Sequence, residues 1–175
     1  MFLHHFTKKE NKHKKLAKNI YSSLIKIVEF IMSSDEFKIK KNFNSTFELM
    51  TIFIFAIFFA NKKDIKKLLI NQHLMDLYIE DIDKTMRELG IGDMRIGKFV
   101  KSYVKKFYYR ISRLEEIFVD SNYNKFEKYI NKRDLNDKKV NLEKFNQFLF
   151  LSINKLINIS KKEDLSKLSI NILFN

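Results

Sequence analysis

Arg87-Glu88-Leu89-Gly90-Ile91-Gly92-Asp93-Met94-Arg95-Ile96-Gly97-Lys98 holds every glycine of a 175-residue chain that has no proline. Architectures of strands and tight turns draw heavily on Gly and Pro, because those residues reach the turn dihedrals cheaply. A chain that confines its glycines to one short stretch reads instead as long helices joined by polar links.

Within the stretch, Gly90 follows Leu89, the last apolar residue of a helical pattern. That is where a helix C-terminus takes a left-handed residue. Gly92 offers a second permissive position, and Asp93 is placed to cap the next helix with its carboxylate facing the positive helix end. Gly97 reads as a close-packing position in the first turns of that helix. Arg87 suits the negative end of the helix before the turn. Glu88 does not, and calls for a pair with Arg95 or Lys98 across the turn, or for a partner contact. Gly92, Gly97 and Lys98 also satisfy most of a phosphate-loop pattern. However, Phe99 stands where a Mg²⁺-ligating Ser or Thr is required, and a helix precedes the loop where a strand is needed.

Upstream of the turn, residues 64–89 read as a helix, with a break near Asn71 left open. Its apolar side is Ile65, Leu68, Leu69, Met75, Ile79, Ile82, Met86 and Leu89. Asp76, Glu80 and Asp83 fall at i, i+4 and i+7 and share a face, with Asp81 beside them. Glu80 with Lys84 and Asp83 with Arg87 form i, i+4 pairs in the favourable order. A metal site has little support there, because His73 precedes Asp76 and no second motif faces it.

Downstream, residues 94–119 read as a helix with the stripe Ile96, Val100, Tyr103, Val104, Phe107, Ile111, Leu114 and Phe118. Arg95, Lys98, Lys101, Lys105, Lys106, Arg110 and Arg113 lie mostly off that stripe, and no acidic residue separates Met94 from Leu114. Four of the five arginines fall between Arg87 and Arg113. Lysine enrichment across the chain matches AT-biased codon usage, so the local clustering says more than the net charge of +13. Uncompensated like charges on one helix suit an anionic partner: lipid headgroups, RNA or an acidic protein face.

Further out, residues 15–32 carry a helical stripe of Leu16, Ile20, Leu24, Ile27, Val28 and Ile31. Ser45 with Glu48 makes a capping box for a helix that is apolar from Leu49 to Ala60 except for Thr51. Those twelve residues rise about 18 Å, short of a bilayer core. The reading is a central buried helix, or one that leaves apolar surface for a membrane or membrane-protein client. Beyond Asp120, a short helix around Tyr123, Phe126, Tyr129 and Ile130 precedes a last main helix over 140–160.

The expected domain plan is a basic N-terminal arm at 1–14, a helical domain at 15–160, and a tail at 161–175 with a short helix. The fold class is all-α: a single-domain bundle of about five to seven helices. With 45% hydrophobic residues and 18 Phe, the composition supports a packed core. Cysteine is absent, which removes disulfides and thiolate metal sites and fits a reducing, cytoplasm-like compartment. No secretory signal is expected at the N-terminus, and no catalytic constellation is found around the lone mid-chain His73, so the reading is non-catalytic.

The stretches Asp76–Asp83, Met86–Asp93, Gly97-Lys98 with Val100-Lys101, and Phe107-Tyr108-Tyr109-Arg110 resemble the ubiquinol–cytochrome c chaperone family. Its pattern is an Asp-rich helix, Leu/Met-Arg-Glu-x-Gly-Val-Gly-Asp, and a basic helix ending in Phe-Tyr-Gly-Arg. Phe47-Glu48-Leu49-Met50 resembles the family's upstream Arg-Phe-Asp-x-Leu element. Tyr109 departs from the usual Gly, Ser45-Thr46 replace Gly-Arg, and the usual His of the apolar helix is absent. The resemblance implies a chaperone without a cofactor that binds newly made cytochrome b and promotes bc1 assembly. It also implies a possible small partner subunit and a ribosome-proximal site of action, cytoplasmic or peripheral at the inner membrane. The implied partner-binding residues are Asp76, Glu80, Asp81, Asp83, Arg87, Glu88, Asp93, Lys98, Lys101, Lys105 and Arg110, with Gly90, Gly92 and Gly97 as the structural turn. A basic RNA- or ribosome-binding or membrane-surface module is the alternative.

Overall fold

A computed structural model describes residues 2–137, 140–162, 165 and 168–174, leaving aside the side chains of 2–11 and 66. Its helices are α1 (Phe2–Ser33), α2 (Phe43–Asn61), α3 (Ile65–Glu88), α4 (Asp93–Val119), α5 (Tyr123–Asn131), α6 (Leu142–Lys162) and α7 (Ile170–Phe174). Among the described residues no strand forms, and only an isolated bridge joins Ile39 to Asn136. The all-α bundle expected from the sequence is the fold.

α2 is the axis. Phe47 through Ile57 are buried on every side, and α6, α4, α1 and α3 all pack on them. By length and composition α2 could span a bilayer, but 67% of its apolar window lies inside the bundle. The buried alternative therefore holds. Past Ile57, Phe58, Phe59 and Ala60 are half-exposed.

Asparagine supplies the helix starts that a Gly- and Pro-poor chain needs. Asn42 Oδ1 accepts from the Ser45 amide at 2.9 Å, Asn122 Oδ1 from Lys125 at 2.9 Å, and Asn141 Oδ1 from Lys144 at 3.0 Å. Each satisfies one of the unpaired amides of a first turn. This corrects the Ser45–Glu48 capping box: the cap of α2 is Asn42, three residues earlier, and Glu48 serves elsewhere.

Three further features complete the fold. α1 starts at Phe2, so helical backbone continues through the basic stretch read as an arm. Lysine is a good helix former, which explains why a polar segment extends the helix. α3 is continuous through Asn71, whose Oδ1 accepts from Asn61 Nδ2 at 2.7 Å. The C-terminal segment folds back on α1: Ser23 Oγ donates to the Leu168 carbonyl at 2.7 Å, and Phe174 stacks on Phe30 at 5.2 Å.

Candidate partner-binding surface

The glycine stretch forms the turn between α3 and α4, which pack against each other. Gly90 has φ +80°, the left-handed value its position predicts. Its amide donates to the Arg87 carbonyl at 2.9 Å, and the Ile91 amide to Met86 at 3.1 Å. These are the two bonds of a Schellman stop, and half-buried Ile91 packs on the core beside Met86 as that motif favours. Gly92 is the N-cap of α4, with φ −65° and ψ 150° that any residue reaches, so Asp93 is the first helical residue and not the cap.

Asp93 keeps its favourable place in the first turn and meets the Arg87 guanidinium. Arg87 Nε also donates to Asp83 Oδ2 at 2.7 Å. Arg87 thus straps the end of α3 to the start of α4, and its neighbouring carboxylates hold its pKa above the ordinary value, Asp83 foremost. Glu88 sits 3.9 Å from Lys84 and makes no pair with Arg95 or Lys98, so its pairing across the turn is not found. Lys84 consequently does not close on Glu80 among the described ion pairs.

Asp76 and Glu80 are exposed on the solvent side of α3, Asp76 at 3.9 Å from His73 Nδ1. Asp81 is turned toward α1 and accepts from the Tyr21 hydroxyl at 2.8 Å. Desolvation, then the Asp81 charge, pushes the Tyr21 pKa far up. Among the described residues no three His, Asp or Glu side chains converge as metal ligands.

The basic helix separates into two populations. Lys98, Lys101 and Lys105 are exposed, and with Arg95 they have no ion pair or hydrogen bond among the described contacts. Lys106 instead covers the Tyr103 ring at 4.4 Å, and Arg113 pairs with Glu116 at 2.9 Å.

Arg110, another of the expected partner residues, points into the bundle. Its side chain is 14% exposed and grips Glu48: Nε lies 3.0 Å from each carboxylate oxygen and Nη2 lies 2.9 Å from Oε1. Arg133, stacked on Tyr129 at 4.4 Å, approaches Glu48 Oε2 at 4.0 Å. Desolvation lowers the Arg110 pKa, but the hydrogen bonds and charge of Glu48 outweigh it and the net shift is upward. Two stretches that carry the family resemblance, around Phe47 and around Arg110, are therefore joined inside the protein.

Sequence reasoning missed this clamp, although a signal existed. A lone carboxylate at the start of an otherwise apolar buried helix requires a cation. Arg110 stands between Phe107 and Leu114, both fully buried. Tyr78 was also missed as a core polar residue. Its hydroxyl donates to the Phe47 carbonyl at 3.0 Å and shares a 3.1 Å bond with Thr51 Oγ1, and burial drives its pKa up. Gly97 is a further correction. A Cβ built there meets nothing within 4 Å, so close packing inside the chain does not explain it.

The crystal structure of the Cbp3 homolog from Brucella abortus is similar in fold, with a TM-score of 0.75 over 97% of this chain and 100% of that chain at 17% identity. Among curated proteins none matches this chain. A family model described as ubiquinol-cytochrome C chaperone matches residues 35–163, which include α2 through α6 and every residue of the hairpin just described. That span covers well over half of the sequence, and the chain belongs to the ubiquinol–cytochrome c chaperone family.

Proposed function

We propose that the protein is a non-catalytic assembly chaperone that binds newly made cytochrome b and promotes assembly of the ubiquinol–cytochrome c reductase (bc1) complex. Family membership supports the general role in bc1 assembly. The observation that carries the client contact is the solvent face of α3, where the Asp76 and Glu80 carboxylates stand exposed on a rigid, core-packed helix. Cytoplasmic loops of membrane proteins are rich in Lys and Arg, which such a face complements. Asp81, Asp83, Arg87, Glu88 and Asp93 border this face or the adjoining turn. The site of action is the cytoplasm or the periphery of the inner membrane, with a small partner subunit as a further candidate contact.

Deleting the gene is expected to lower assembled bc1 complex while other respiratory complexes stay near normal. Normal bc1 levels would overturn the reading. At the residue level, Glu88→Gln is expected to leave stability nearly unchanged and to weaken capture of cytochrome b by the tagged protein. Full complementation by that variant would remove Glu88 from the contact.

A basic RNA- or ribosome-binding module is the second reading, favoured by the unpaired cations of α4. It predicts an RNA affinity that falls with salt and drops when Lys101, Lys105 and Lys106 are neutralised.

A further inference from the structure

Arg95, Lys98, Lys101 and Lys105 follow one another at steps of three, three and four along α4. That spacing sets them within about a third of the helix circumference, over roughly 15 Å. Nothing in the described structure neutralises them, whereas the other cations of the helix are occupied by Tyr103, Glu48 and Glu116. The acidic stripe of α3 lies on the adjoining helix, and none of its carboxylates pairs with these four side chains; Arg87, not a stripe cation, bridges Asp83 and Asp93. Unpaired like charges on a rigid scaffold repel one another, and an anionic partner relieves that repulsion.

Apolar and amphipathic side chains bracket the row. Met94, 101% exposed, stands before it, and Tyr108 and Tyr109, 56% and 53% exposed, stand after it. Helical periodicity places all three on the same outward side as the lysines. A cation row flanked by Met and Tyr has the pattern of a bilayer interface: ammonium and guanidinium groups at phosphates, aromatic rings at headgroup depth.

We propose that the outward face of α4 docks the protein onto an anionic phospholipid surface. The assignment commits to lipid headgroup phosphate in a bilayer, with RNA phosphate as the competing source of the same charge. It deepens the chaperone reading by giving the α4 side of the hairpin a partner distinct from the client of the α3 side, and it rests on that reading only for its purpose.

The test is sedimentation of the full purified chain with vesicles of phosphatidylglycerol in phosphatidylcholine, against vesicles of phosphatidylcholine alone. Binding to the anionic vesicles is expected, with loss on raising salt, as screening requires. Combined Lys98→Gln, Lys101→Gln and Lys105→Gln should weaken it at least about tenfold, on the basis of several-fold per surface lysine. The charge-matched control Lys128→Gln, Lys132→Gln and Lys155→Gln should bind nearly as the parent does. Circular dichroism of both triple variants establishes that each is folded.

Equal binding to both vesicle types, or equal loss in both triple variants, overturns the proposal. So does binding to a mixed-sequence RNA without binding to anionic vesicles. The assay contains no cytochrome b, so its failure leaves the bc1 reading intact, and normal bc1 in a deletion strain leaves the lipid result intact.

Discussion

Two arginines at the ends of the same basic segment each hold α4 to another helix, and they do so under opposite conditions. Arg110 grips Glu48 with both side chains nearly out of solvent, 14% and 10% exposed. Arg87 bridges Asp83 and Asp93 with side chains that are 50%, 35% and 86% exposed. Each arginine meets a carboxylate of a neighbouring helix, Arg110 Glu48 of α2 and Arg87 Asp93 of α4. Water separates their consequences. Breaking a buried pair strands a charge that has lost its hydration, whereas breaking an exposed one returns both groups to solvent. The inner end of α4 is therefore a structural clamp, and the outer end is a surface whose residues are available for contacts.

The largest effect is expected at the clamp. Arg110→Ala should destabilise by about 3–5 kcal/mol, because Glu48 is left buried with only Arg133 nearby. Urea denaturation measures this. The combined Glu48→Met and Arg110→Met variant should recover much of the loss, since neither charge is then stranded. A double variant as unstable as Arg110→Ala would mean that packing, and not the unpaired carboxylate, dominates.

Gly90→Val should cost about 1–2 kcal/mol by forcing a branched side chain into the left-handed region. Thermal unfolding reads it, and an unchanged midpoint would remove the Schellman stop as a constraint on the hairpin.

Gly97→Ala is expected to act in the opposite sense. The position is helical and open, so alanine should stabilise by about 0.5–1 kcal/mol. Lower bc1 assembly in a strain carrying this more stable variant would mark Gly97 as a place of close partner approach. Unchanged assembly would leave the glycine without a role.

The smallest effect is expected at the strap. Arg87→Ala should leave the melting midpoint close to that of the parent at about 0.15 M salt, where exposed pairs are screened. A loss comparable to that of Arg110→Ala would erase the contrast between the two ends.

Features encoded by neighbours in sequence were legible. The apolar run of α2, the stripe of α4 with Phe107 and Leu114 at its centre, and the helix stop at Gly90 all follow from local spacing and dihedral preference. The Asp83–Arg87 pair lies four residues apart on one helix and was equally accessible. The Glu48–Arg110 clamp spans 62 positions, so no periodicity carries it. Glu48 also imitates a local signal, a capping box, that Asn42 pre-empted. Leu89 shows the same limit from the other side: it keeps the helical spacing of α3 but lies just past Glu88, the last helical residue, and is 61% exposed at the rim of a cleft. Periodicity reports which face turns inward, not whether something is there to meet it.

The central position of α2 also bears on how the chain reaches its native state. Its heaviest cover is α6, which starts at Leu142, whereas α2 ends at Asn61. During synthesis at roughly 5–20 residues per second, that separation leaves the most apolar helix without its main cover for on the order of ten seconds. The nascent protein spends that interval with its most apolar helix covered only by α1, α3 and α4 as they form, a condition that exposes a folding chain to aggregation.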